Sequence, residues 1–74
     1  MYRIEVSTSE GKSTYQPQVF NTDGYFENLV KLGEEVVIGN SQNWETKEMA
    51  VSIIDLYKKQ LLKPKAVISY IDVE

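Results

Sequence analysis

Lys58, Lys59, Lys63 and Lys65 place half of the eight basic residues in one short window, a density that could hold an anion or a phosphate backbone. Lysines at the end of a helix also complement the negative end of its dipole and keep the exit solvated, which is the ordinary reading. Tyr2, Tyr15, Phe20, Trp44 and Tyr70 offer aromatic surface of the kind on which single-stranded nucleic acid stacks its bases. Aromatics are equally favoured in strands, and core packing is the simpler account. Trp44, the only tryptophan, stands just ahead of a helix start, where it could anchor a partner or cover the end of the core as a hydrophobic staple does. The carboxylate pairs Glu34-Glu35, Asp23 with Glu27, and Asp72 with Glu74 lack the loop chemistry of a calcium site and read as solvated charge. Ser41 and Thr46 have no base in sequence beside them except Lys47, so neither is set up as a nucleophile.

What is missing narrows the chemistry further. The chain has no histidine and no cysteine, which removes imidazole-based triads, thiolate and imidazole metal ligands, and disulfides. No catalytic residue, metal site or cofactor is expected, and the chain is read as a non-enzyme. The net charge of −3 argues against a protein that grips duplex phosphates, because such work leaves a basic footprint. That acidity sits entirely in residues 1–40, while residues 41–74 are neutral. The opening Met1-Tyr2-Arg3-Ile4-Glu5 lacks the apolar stretch of a signal peptide, and no run approaches a bilayer-spanning length. A cytoplasmic protein without membrane contact is the expectation.

Seventy-four residues, 42% of them hydrophobic, make a single domain of ordinary globular composition over residues 1–74. So short a chain buries only about 60% of its unfolded surface, so a compact core or a partner subunit must supply stability. Tyr2, Ile4 and Val6 alternate with Arg3, Glu5 and Ser7, the period of a strand with one wet face. Turn formers around Gly11 lead to a second alternating run at residues 14–20, completing a hairpin. Pro17 lacks an amide proton, so this second strand should be an edge or irregular there. Residues 25–32 fit neither period, and one or two helical turns are favoured. The β-branched run Val36-Val37-Ile38 reads as a central strand. Thr46 is a credible N-cap for a helix reaching about Leu62, with Met49, Ala50, Ile53, Ile54, Tyr57 and Leu61 on the stripe facing the sheet. Pro64 stops that helix, and residues 66–73 form a final strand. The expected fold is α+β, of order βββαβ, with one helix packed on a small, mostly antiparallel sheet.

The final strand carries Val67, Ile71 and Val73 on one face and Ile68 and Tyr70 on the other. One helix covers only one face of a small sheet, so a strand apolar on both faces points to a second subunit.

The run from Gly33-Glu34, through the strand Val36-Val37-Ile38, Ser41, Trp44 and Thr46-Lys47, to Ala50 and Ile53 or Ile54 resembles the YegP-like family of small proteins. The likeness covers residues 33–54. It implies a unit of three strands, a helix and a strand that exchanges its terminal strand within a homodimer, and it carries no catalytic residues. The expected function is therefore a homodimeric protein-interaction module, with Val67, Ile68, Tyr70, Ile71 and Val73 at the dimer contact. An unidentified protein partner would meet Trp44, Tyr70 and the lysines 58, 59, 63 and 65. The alternative is weak binding of single-stranded nucleic acid through a sheet face and the same lysines.

Overall fold

The computed structural model describes residues 1–62 and 69–73. Four strands, β1 (Tyr2–Ser9), β2 (Lys12–Phe20), β3 (Phe26–Leu32) and β4 (Glu35–Gly39), precede one helix, α1 (Lys47–Leu62). The strands form one antiparallel sheet in the order β1-β2-β3-β4, and α1 packs on one face, as an α+β fold.

Two expectations are corrected at the level of elements. Residues 26–32 are a strand and not helical turns, so four strands come before the helix. The Val36-Val37-Ile38 strand is β4, at the edge of the sheet and not its centre. Of the two outcomes expected of Pro17, an edge or an irregular strand, the second holds: β2 lies inside the sheet and its ladder to β3 breaks at Pro17. The final strand expected at residues 66–73 lies partly outside the described residues, and residues 69–73 carry no strand in the single chain.

Two of the three hairpins follow directly from local sequence. Ser9 pairs with Lys12, leaving Glu10 and Gly11 in the turn with φ of 52° and 77°, the doubly positive pattern of a type I′ turn that suits the twist of the flanking strands. Gly33, with φ of 61°, opens the two-residue turn between Leu32 and Glu35.

Register assigns side chains to faces, because cross-strand partners share a face. Tyr2, Ile4, Pro17, Val19, Leu29 and Val36 lie on the helix side. Leu29, Val36, Ile53 and Ile54 are the buried core cluster, with Tyr2, Ile4, Val19, Trp44, Leu56 and Tyr57 packed around it. The Thr46 hydroxyl accepts the Met49 amide at 3.2 Å, so the N-cap is formed as expected. Met49 and Leu61 are corrections to the stripe. They lie 44% and 62% exposed: Met49 is at the margin of the stripe that Ala50, Ile53 and Ile54 centre, about 100° around the helix from Ala50, and Leu61 is in the final turn, beyond those buried residues. On the β4 side the helix makes its contact through Gln60, a residue outside that stripe, whose side chain bonds to the Val36 main chain.

β2 and β3 pair only over Gln18–Phe20 and Phe26–Asn28. Continued by one residue, the same register would oppose Pro17 to Leu29, where proline has no proton to donate. The ladder stops there, and polar side chains take its place. The Gln16 carboxamide donates to the Leu29 carbonyl at 3.0 Å and to the Pro17 carbonyl at 2.8 Å, and its oxygen accepts the Gln42 amide at 2.6 Å. The Gln42 side chain in turn pairs with the Lys31 main chain through both N–H and C=O. Trp44 exchanges two main-chain hydrogen bonds of 2.8 Å with Tyr15. The connection from β4 to α1 is thereby held between diverging strands.

Candidate functional site

Two sheet faces, two sheet edges and an exposed segment are the surfaces available for function. On the helix side, Trp44 is half-buried against the core cluster and bridged to Tyr15, the position of a residue that closes the core near the helix start. Tyr2 packs edge-to-face on Tyr57, with ring centroids 6.3 Å apart, and the Lys58 ammonium lies 4.9 Å from the centre of the Tyr2 ring. Lys59 lines a shallow hollow with Glu34, Glu35, Leu56 and Gln60, so its nearest surroundings are acidic. Lys63 and Lys65 fall outside the described residues. Tyr57 has its hydroxyl pKa raised above 10.0, first by burial and then by the neighbouring Tyr2 and Glu27.

The opposite face carries a polar row that sequence alone did not reveal. Arg3 Nε donates to Gln18 Oε1 at 2.6 Å, Gln18 Nε2 donates to Asn28 Oδ1 at 2.7 Å, and Asn28 Nδ2 donates to the Asn40 carbonyl. The Arg3 guanidinium stacks 3.7 Å over the Phe26 ring, which meets Phe20 edge-to-face at 5.1 Å. Finding this row required knowing that residues 26–32 are a strand, because its central members pair only through that register. The five aromatics considered together from sequence do not share a surface: register puts Tyr2 and Tyr15 on the helix side, Phe20 sits on the open face, and Tyr70 is in the C-terminal segment.

Among the dimer candidates, Val67 and Ile68 lie outside the described residues. Tyr70, Ile71 and Val73 are described, and they are 89%, 90% and 91% exposed. Three large side chains so fully in water are unusual for one short run, since isolated exposed apolar residues are normal but contiguous ones mark contact surfaces.

The two edges of the sheet differ. In an antiparallel ladder, alternate residues turn their main-chain groups inward and outward. The Phe20 amide reaches Met1, which places Tyr2, Ile4, Val6 and Thr8 with their N–H and C=O directed away from β2. No hydrogen-bond partner meets them among the described residues. On β4 the outward residues are Val36 and Ile38, and Val36 is engaged at both groups: Gln60 Oε1 accepts its N–H and Gln60 Nε2 donates to its C=O, each at 2.8 Å.

These features define a small α+β domain, a four-stranded antiparallel sheet covered on one face by a single helix. Compared with protein-family models, curated proteins and solved structures, the chain gives no match. Among the described residues, no helix is long and apolar enough to cross a membrane, and no three acidic side chains gather as a metal site would need.

Proposed function

We propose that the protein is a non-enzymatic interaction module that works as a homodimer, its C-terminal segment completing the sheet of a second copy. The observation that carries this reading is the exposure of Tyr70, Ile71 and Val73 beyond a domain whose core is already formed by Leu29, Val36, Ile53 and Ile54. Strand addition satisfies main-chain groups and buries alternate side chains together, which is how an apolar segment with no place in its own core becomes stable. A symmetric exchange gives each copy the same contacts. The likeness of residues 33–54 to the YegP-like family points to the same exchange, while four strands precede the helix here where that family's unit has three. The cysteine-free composition suits a cytoplasmic setting.

Light scattering after size-exclusion chromatography tests the proposal. The full chain should run at twice its 8.5 kDa mass, and the double substitution Ile71→Asp with Val73→Asp should return it to a single mass with its fold intact. A single mass for the unaltered protein at micromolar concentration rejects the dimer. The nucleic-acid alternative finds less support, because the aromatics are divided between surfaces and Lys59 sits beside Glu34 and Glu35.

A further inference from the structure

We infer that the outer edge of β1, and not that of β4, receives residues 69–73 of the second copy, running antiparallel with Asp72 opposite Arg3. This inference rests on the homodimer reading above and specifies its interface.

Edge availability comes first. β1 is eight residues long, contains no proline, and directs four N–H and four C=O groups outward without a partner among the described residues. Such an edge invites another strand unless something blunts it. β4 has five residues, and at Val36 the Gln60 carboxamide already makes the pair of hydrogen bonds that an added strand would make. A strand docking on β4 would have to displace Gln60 from Val36 and would otherwise find only Ile38 directed outward.

Side-chain pattern then fixes orientation and register. On β1, Tyr2, Ile4 and Val6 face the helix side while Arg3 and Glu5 face the open side. In the incoming segment, Ile71 and Val73 alternate with Tyr70 and Asp72. With Asp72 opposite Arg3, Val73 falls beside Tyr2 and Ile71 beside Ile4, extending the apolar face, and Tyr70 falls beside Glu5. Arg3 spends its Nε on Gln18, which leaves its two terminal nitrogens for a carboxylate. A slip of one residue would place Asp72 among Ile4 and its neighbours and turn Ile71 and Val73 to the polar side, so the register is strongly selected. The same pairs form Tyr2, Ile4 and Val6 into hydrogen-bonded positions, the ones whose main-chain groups face outward. Residues 70, 71 and 73 stand about nine-tenths exposed in the single chain, so β1 of the same chain does not cover them, and the same edge on a second copy offers them the matching pattern.

Sedimentation equilibrium of full-length variants decides it. Val6→Pro removes one outward amide without touching the β1–β2 ladder, and should weaken the dimer by about tenfold or more while the helical circular dichroism is retained. Ile38→Pro makes the same change on the β4 edge and should leave the dissociation constant within about twofold. Asp72→Arg should weaken the dimer, and adding Arg3→Asp should restore it; this pair decides the matter if Val6→Pro does not fold. A dimer insensitive to Val6→Pro and Asp72→Arg, or one lost with Ile38→Pro, overturns the β1 assignment while leaving the homodimer standing. A monomeric wild-type protein removes both, including the case in which the segment folds onto its own β1.

Discussion

The carboxamide of Gln16 donates to the carbonyl of Leu29 across 3.0 Å, supplying the hydrogen bond that Pro17 cannot make in the register set by β2 and β3. A single residue thus repairs a break introduced by its neighbour, and it does so while only 2% exposed. Because its oxygen also holds the Gln42 amide, the repair fixes the path of the chain from β4 to the helix.

Gln16→Leu keeps the volume and removes these bonds, leaving the Leu29 carbonyl and the Gln42 amide unpaired. Each unpaired buried group costs about 1–3 kcal/mol, so a loss of about 2 kcal/mol or more is expected in urea unfolding. A loss under about 1 kcal/mol would mean that water or a shifted backbone replaces the glutamine.

Ile53 and Ile54 are the buried centre of the helix stripe, at 4% and 8% exposure. Ile53→Ala or Ile54→Ala should each cost about 2–5 kcal/mol, a large part of the stability of so small a domain. Urea denaturation gives the value directly. A cost below about 1 kcal/mol at both positions would contradict the packing of α1 on the sheet.

Tyr57 provides an alkaline signature. Its hydroxyl has a folded-state pKa raised above the unfolded value of 10.0, chiefly by burial, so the unfolded chain ionises first. The contribution of this residue to stability is fully present below pH 10.0 and is lost as pH rises from there through the folded pKa. Urea midpoints measured through this range should fall less steeply for Tyr57→Phe than for the natural protein. Equal slopes would show that the hydroxyl ionises alike in both states.

Much of the fold was legible because local rules sufficed. Gly11 marks a hairpin, Thr46 caps the helix, and the alternation of Tyr2, Ile4 and Val6 announces a half-buried strand. β3 was not legible because neither of its faces is uniform: Glu27, Leu29 and Lys31 share one, and Phe26, Asn28, Val30 and Leu32 the other. A strand with mixed faces has no clean period of two, and only its neighbours decide what it is. The buried glutamines were hidden for a related reason. Gln16 and Gln18 look like surface residues until Gln42, Leu29 and Asn28 arrive from elsewhere in the chain to satisfy them. Gln60 likewise reads as a solvent-facing helical residue, and its role as a cap on the β4 edge depends on where Val36 lies.

The most direct measurement of the homodimer account is an isotope-filtered nuclear Overhauser experiment on a mixture of labelled and unlabelled full-length protein. Contacts between the methyl groups of Ile71 or Val73 in one copy and the side chains of Tyr2 or Ile4 in the other are the predicted result. Contacts of Ile71 and Val73 found only within a single copy, or none at all in a protein of single-chain mass, would contradict it.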